Sequence, residues 1–374
     1  MQKTFEQVTG KAANGFHQTD VPDLRGKTAL VTGATVGIGY EVARALALAH
    51  ARVLLVARKS DQGEDAMRAI KESQVKEGSG GGVADITFLE CDLGDLESVK
   101  KLAETVQSRE DRLDILICDA GVGTNKFDTA ATGIDRHFSV NHLGHFYLVN
   151  QLLPLMRKTS ELPDSLPPRV VVVSSELHRG APPSTQFANV DELNDDSRSN
   201  LDSKLGIANA LYARSKLANI LFVKELVKRA SLSSSSNSVV PGIYAIATHP
   251  GAVHTAQQDH FKEAYGGVFG TIMKSVTVPF MRSPEQGSLS TLWAATSDDV
   301  VKTSPNGDKG LDRGEGAGGW QGRYVTDPAQ EGNESSQAQD TALGDRLWNL
   351  SENIVSEQLG GAALKSWTEG VIAA

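Results

Sequence analysis

The chain has 374 residues, 40% of them apolar, which admits one large or two small domains with a sizeable buried core. A formal charge of −9 with no long basic run excludes a general attraction to nucleic acid or to an anionic membrane. No run approaches the roughly 18 apolar residues of a membrane span, and the only cysteines, Cys91 and Cys118, end apolar runs, so a reducing, cytoplasmic setting is expected in place of a disulfide framework.

Met1 to Asp20 mixes Gln, Lys, Glu, Asn and His, lacks the apolar core of a secretory signal, and reads as part of an N-terminal arm over 1–24. From Lys27 to Ser175, short apolar runs alternate with segments of helical periodicity. Strands are predicted at Thr28–Thr32, Arg52–Ala57, Ile86–Cys91, Ile115–Cys118 and Val170–Val173. Between the first two, Val42, Ala45, Leu46 and Ala49 recur at helical spacing. The pattern continues with a helix near Leu211–Arg229, a strand at Ile243–Thr248 and a helix near Pro284–Thr296. Such alternation predicts the α/β class, a doubly wound parallel sheet in a single domain over 25–359. Insertions are expected at Gly78–Gly82, at Ser231–Ser238 and in a surface loop over 303–320, rich in Gly and Asp. Leu343, Leu347, Leu350, Ile354 and Val355 mark a final amphipathic helix, followed by a tail over 360–374.

Thr32-Gly33-Ala34-Thr35-Val36-Gly37-Ile38-Gly39 follows the first strand and opens the first helix. Glycines there let the backbone turn sharply and approach a pyrophosphate at the helix N-terminus, the Rossmann arrangement. Gly33, Thr35, Gly37, Ile38 and Gly39 are thus candidate cofactor-binding residues, against the plainer reading of a structural turn. The spacing resembles the TGxxxGxG form of the short-chain dehydrogenase/reductase family more than the GxxGxxG of its epimerase relatives. At the end of the second strand, an NAD-binding fold would carry an acid for the ribose hydroxyl, whereas Val56-Ala57-Arg58-Lys59 offers cations. Arg58 suits a 2′-phosphate, so NADP(H) is the expected cofactor.

The family resemblance implies further roles. Asp92 and Leu93 match its D-[LVI] step and would flank the adenine. Cys118-Asp119-Ala120-Gly121 stands where the family commonly reads N-N-A-G. Ala120 and Gly121 keep the backbone close to the cofactor, but Cys118 and Asp119 cannot donate amide hydrogen bonds. Phe138-Ser139-Val140-Asn141-His142-Leu143-Gly144-His145-Phe146 is similar to the retinol dehydrogenase-like and WW-domain oxidoreductase-like branches. It implies that Asn141 holds a water in a proton relay from Lys216, with His142 and His145 as packing residues. Pro250, Gly251, Val253 and Thr255 fall in the family's PGxVxT segment and would also contact the cofactor.

Tyr212 and Lys216, four apart on a predicted helix, project from one face. A nearby ammonium favours phenolate, which is expected to lower the tyrosine's pKa into a range useful for proton exchange. Ser175, at the C-terminal end of a buried strand, lies where open α/β sheets assemble ligand sites and would bind the substrate oxygen. Ser174 is the better fit to a mere turn-capping hydroxyl. The catalytic set is therefore Asn141, Ser175, Tyr212 and Lys216, with Asn141, Tyr212 and Lys216 also facing the cofactor, and with no metal.

The interval before Tyr212 is long for the family, and 176–210 is expected to form a rim insertion over the active-site mouth. A substrate lid is expected over 256–283, whose Phe261, Tyr265, Phe269, Ile272 and Phe280 suit a hydrophobic ketone, aldehyde or alcohol. An ordinary core helix, a membrane-surface contact or a dimer contact are alternatives for that segment, the last leaving a homo-oligomer open. The expected function is NADP-dependent hydride transfer between a hydrophobic carbonyl compound and its alcohol. The alternative is a non-catalytic NADP-sensing scaffold on the same fold.

Overall fold

The computed structural model describes residues 15–76, 84–163, 167–195, 204–231, 242–253, 281–301 and 319–367. Its first half runs β1 (Thr28–Thr32), α1 (Gly37–Leu48), β2 (Arg52–Ala57), α2 (Ser60–Lys76), β3 (Ile86–Glu90), α3 (Leu96–Arg109), β4 (Ile115–Cys118) and α4 (Gly144–Ser160). Its second half runs β5 (Arg169–Val173), α5 (Val190–Asn194), α6 (Lys204–Ser231), β6 (Tyr244–Thr248), α7 (Pro284–Thr296), β7 (Tyr324–Asp327), β8 (Gln330–Glu331) and α8 (Thr341–Leu359). The expected Gly78–Gly82 insertion, most of Ser231–Ser238, most of the 256–283 lid and most of the 303–320 loop lie outside the described residues.

The sheet order is β3-β2-β1-β4-β5-β6-β7-β8, parallel except for β8. β1 pairs with β2 on one side, Val31 opposite Leu55, and with β4 on the other, Val31 opposite Ile117. Chain order reverses between β1 and β4, so a crevice opens beyond the carboxyl ends of these strands. All five residues of β1 are buried, as a central strand covered on both faces requires.

Alternate strand positions feed two cores. Leu30, Leu54, Leu116, Val170 and Val172 face α3, α4, α6 and α8, while Val31, Val53, Ile117, Val171 and Ile246 face α1, α2 and α7. The first core is anchored by aromatic packing: the fully buried Phe146 ring lies 5.1 Å from Trp348 and 5.5 Å from Phe222. Trp367 packs 4.4 Å from Trp348, and Asn150 bonds both the N–H and the carbonyl of Lys365. The described start of the expected tail is therefore docked on α4 and α8. The described end of the expected N-terminal arm is docked too: Leu24 is buried and Gln18 donates to Ser288 of α7.

β7 and β8 were not expected. Tyr324-Val325-Thr326 is only a short β-prone run beside a Gly- and Asp-rich stretch, and it forms a strand because β6 offers an open edge. α6 begins at Lys204, not near Leu211, so the last residues of the expected rim insertion are its first turns. Ala208, Leu211 and Ser215 continue one buried stripe across that boundary. Arg169, an odd residue for a buried strand, donates to the carbonyls of Ala294 and Ser297 at the C-terminal end of α7, where a cation opposes the helix dipole.

Replacing Trp348 by Ala removes the centre of the aromatic cluster, and the expected loss is about 3–5 kcal/mol of unfolding free energy. Urea unfolding of the folded variant should show the midpoint falling. An unchanged midpoint would show that the cluster does not support the first core.

Candidate active site

The turn after β1 and the turn after β4 meet at the crevice. Gly33 has φ +71°, and a Cβ built on it would lie 2.9 Å from the Ala120 backbone, so only glycine fits there. Gly39 is as constrained, because its Cβ would sit 2.5 Å from the Gly33 carbonyl and 2.6 Å from Asp119 Oδ2. The first turn of α1 is thus held close against β4, which is what a backbone phosphate cradle needs.

Thr32 ties the two turns together. Its hydroxyl accepts from the N–H groups of Asp119 (3.0 Å) and Ala120 (3.1 Å) and lies 2.9 Å from His145 Nε2 and 3.2 Å from the Ile117 carbonyl. His145 Nδ1 lies 3.1 Å from the Asn141 carbonyl; with the proton on Nδ1, Nε2 accepts from Thr32. Burial lowers His145 to about 4 and His142 to about 3, so both rings are neutral hydrogen-bonding spacers at physiological pH. His142 packs between Phe138 and Phe222 and contacts Ser351.

Asn141 sits in a π-helical turn, Ser139–Leu143, that leads into α4. Such turns widen a helix locally and re-aim its side chains. The Asn141 amide donates to the Val122 carbonyl (3.0 Å) and to Ser215 Oγ (2.9 Å), and its oxygen accepts from Val122 N–H (2.6 Å). It therefore splints the post-β4 loop to α6. A water on this side chain would have to share Oδ1 with the Val122 N–H.

α6 is fixed to the end of β5 by polar contacts on one face. Ser174 Oγ donates to the Lys216 carbonyl (2.7 Å), while Lys216 Nζ (2.8 Å) and Asn219 Nδ2 (3.1 Å) both donate to the Val173 carbonyl. Lys216 Nζ lies 5.6 Å from the centre of the Tyr212 ring and 3.7 Å from where a Gly121 Cβ would be. Ser175 hydrogen-bonds the Tyr212 side chain. Ser175 Oγ also accepts from Leu177 N–H (3.2 Å), capping the 3-10 turn Glu176–Gly180. The capping hydroxyl is therefore that of Ser175, and Ser174 instead holds α6, because the chain turns one residue later than the sequence suggests.

Tyr212 departs from the expected direction. Burial raises its pKa to about 12; the Ser175 hydrogen bond lowers it and the Asp119 carboxylate raises it further. Burial raises Asp119 and lowers Lys216, and each opposes the other's shift. Burial therefore outweighs the lowering expected from the neighbouring ammonium.

The other expected contact residues line the same edge of the sheet. Thr35, Gly37 and Ile38 are partly exposed on the first turn, and Arg58 is exposed beyond β2. Asp92 folds back to accept from Gly94 N–H (2.9 Å), and Leu93 is buried against Gly144. Pro250, Gly251 and Val253 follow β6; Val253 and Ile38 both crowd the Cβ position of Gly287, so this loop reaches the Gly-rich turn. Thr255 lies outside the described residues.

Sequence reasoning missed Thr32, Ser215 and Arg282. Thr32 opens the Gly-rich motif and Ser215 directly precedes Lys216, but their partners are far away in the chain. Arg282 pairs with Asp327 at 2.8 Å and presses on Gly251, whose Cβ would lie 2.7 Å from Arg282 Cδ. It carries no local signal.

The described part of the expected rim is a braced element on the flank of α6. Glu192 accepts from the N–H groups of Gln186, Phe187 and Ala188, and Arg214 donates to the Glu192 and Leu193 carbonyls while lying 3.5 Å from buried Asp135.

Among known proteins, the family model for short chain dehydrogenase matches residues 27–184. WW domain-containing oxidoreductase of Gallus gallus is 34% identical over 341 residues, covering 90% of this chain and 70% of that protein. Human retinol dehydrogenase 14 is 30% identical over 338 residues, covering 89% and 87% respectively. A crystal structure of an uncharacterized protein from Mycobacterium paratuberculosis superposes with a TM-score of 0.63 at 27% identity, covering 92% of this chain and 98% of that one.

Thr32→Val keeps the shape of the side chain but leaves the Asp119 and Ala120 N–H groups without their acceptor. The variant should lose about 1–3 kcal/mol of stability, read as a lower urea midpoint. A variant as stable as the parent would show that Thr32 does not hold the two turns together.

Proposed function

The chain belongs to the short-chain dehydrogenase/reductase family, whose oxidoreductases use NAD(P), and from that premise we propose that it transfers hydride between NADP(H) and a hydrophobic ketone or aldehyde and its alcohol. The observation that carries this reading is the convergence of Ser175, Tyr212 and Lys216 at the end of β5, beside the Gly33–Gly39 turn. The contact of Gly33 with Ala120 and the N-terminal turn of α1 fit a dinucleotide, whose nicotinamide supplies or accepts the hydride when bound.

The protein's own part is to hold the substrate oxygen and move one proton. Ser175 Oγ accepts from Leu177 N–H, and its own proton serves the Tyr212 phenol or, with substrate bound, the substrate oxygen. Tyr212 gives its phenolic proton to that oxygen in reduction and recovers it in oxidation. Lys216 sets the field at the phenol, and Asn141, through Ser215 and Val122, fixes the distance between α6 and the cofactor loop. Arg58, exposed beyond β2, is the proposed partner of a 2′-phosphate.

An apolar substrate is supported by the aromatic residues of the 256–283 segment, and a related protein is named a retinol dehydrogenase. Two free, buried cysteines suit a reducing compartment, as the proposed cytoplasmic placement requires. Among the described residues, no helix is long and apolar enough to cross a membrane.

NADPH oxidation with a panel of hydrophobic ketones and aldehydes should show turnover, and Tyr212→Phe should lower kcat by about 100-fold or more while NADPH still binds. Full activity in that variant would sink the mechanism, and tight NADPH binding without turnover in the parent would favour the scaffold reading. Arg58→Asp should weaken NADPH by about tenfold or more relative to NADH, measured by cofactor fluorescence. Equal losses would remove Arg58 from the 2′-phosphate.

A further inference from the structure

The loop that leaves β4 is held at three points. Thr32 takes the N–H groups of Asp119 and Ala120, Asn141 takes the N–H and the carbonyl of Val122, and His137 Nε2 lies 3.2 Å from the carbonyl of Gly123. The first two holds are made by uncharged side chains. The third is not. His137 is buried, and its other ring nitrogen, Nδ1, lies 3.0 Å from Oδ1 of the equally buried Asp135. The second oxygen of Asp135 accepts from Phe138 N–H at 3.2 Å and lies 3.5 Å from Arg214 Nη2, so it faces donors and the group is a carboxylate. A carboxylate and a carbonyl oxygen accept hydrogen bonds and donate none. With an acceptor at each end, the ring makes both bonds when both nitrogens carry a proton, as an imidazolium.

We propose that His137 is a positioning residue that, as an imidazolium, holds the cofactor loop at Gly123 and joins it through Asp135 to α6, and that cofactor affinity falls when the ring gives up its second proton. The inference rests on the reading of Ala120 and Gly121 as the stretch that faces the cofactor. The contacts run without a break from the Gly123 carbonyl through His137 and Asp135 to Arg214, which stands on α6 midway between Tyr212 and Lys216. When one proton leaves the ring, the other stays on Nδ1, because a hydrogen bond to a carboxylate is stronger than one to a neutral carbonyl. Nε2 then turns a lone pair toward the Gly123 carbonyl, and two acceptors at that distance repel. The loop loses its third hold while Thr32 and Asn141 keep theirs.

The other charged groups of this region do not reverse the sign. Arg214, from α6, reaches the carboxylate at Oδ2, away from the oxygen that His137 uses, and is engaged by the Glu192 and Leu193 carbonyls. The Glu192 carboxylate, from α5, is taken up by the N–H groups of Gln186, Phe187 and Ala188. Arg136, beside His137 in the chain, pairs with exposed Asp128, and Lys126 is exposed in the loop beyond Gly123. Charges in water are screened, so the buried Asp135 carboxylate governs the ring.

Asp135→Asn separates the charge from the shape. An asparagine amide in the place of Oδ1 donates to Nδ1 while its oxygen keeps the Phe138 N–H, so a neutral ring with its proton on Nε2 makes both contacts. NADPH affinity, read by cofactor fluorescence from about pH 6 to about pH 9, should fall in the parent by about tenfold more than in this variant. His137→Gln, which carries no charge, should bind about tenfold more weakly than the parent at about pH 6 and approach it at about pH 9. A merely structural role would scale affinity alike at every pH, and equal slopes in the parent and Asp135→Asn overturn the proposal. If the parent binds no NADPH, the functional reading fails and takes the affinity effect with it. The clamp itself is then read from ring-nitrogen NMR spectra of the parent at about pH 6. One slowly exchanging histidine protonated at both nitrogens, reduced to one proton by Asp135→Asn, supports it; the lack of such a signal in the parent overturns it.

Discussion

A single hydroxyl, that of Thr32, stands where the two halves of the sheet diverge. Strands on one side of β1 and strands on the other leave in opposite directions, and nothing in a parallel ladder holds the loops that emerge at their ends. Thr32 supplies that hold by accepting two N–H groups from the loop after β4 and meeting His145 from α4. The approach of Gly33 to Ala120 follows from it, and so does the width of the crevice.

From that point outward, each layer of the site is positioned by a group one step further from the chemistry. Asn141 joins the loop to α6 through Ser215. α6 is tied to β5 through Ser174, Lys216 and Asn219, so Tyr212 cannot slide along the strand end without breaking several hydrogen bonds at once. Arg214, on the next face of the same helix, takes the Glu192–Leu193 carbonyls, and through them braces the element that follows Ser175. His142, His145 and His249 are neutral. Their value is as uncharged donors and acceptors in places where a charge would cost several kcal/mol to bury.

Much of this architecture was legible in the chain, and the reasons differ by element. β1, β2, β4 and α7 match their predicted spans because buried central strands are uniform apolar runs and because Ser283-Pro284 starts a helix by its own chemistry. The β7–β8 hairpin did not announce itself, since its stability comes from the edge of β6 and not from its own composition. The start of α6 was hidden because its first turns are rich in Gly and Ala, which carry little periodic signal. Ser175, Tyr212 and Lys216 could be brought together from motif order alone. The approach of the Asp119 carboxylate to Gly39 could not be judged, because the two meet only across the fold. Trp367 shows the same limit at the other end of the chain, where one aromatic side chain turns an apparent tail into part of the core.

The pairing of Val253 with Arg282 has a consequence for how such a protein can diversify. Val253 follows β6 and Arg282 precedes α7, and the two are bridged directly while Arg282 is locked to Asp327 on β7. The ends of the intervening stretch are thus closed by contacts that do not involve the stretch itself. Changes between these two residues need not move β6, β7 or α7, so sequence there can drift or be exchanged as a cassette while the frame of the candidate site stays in register.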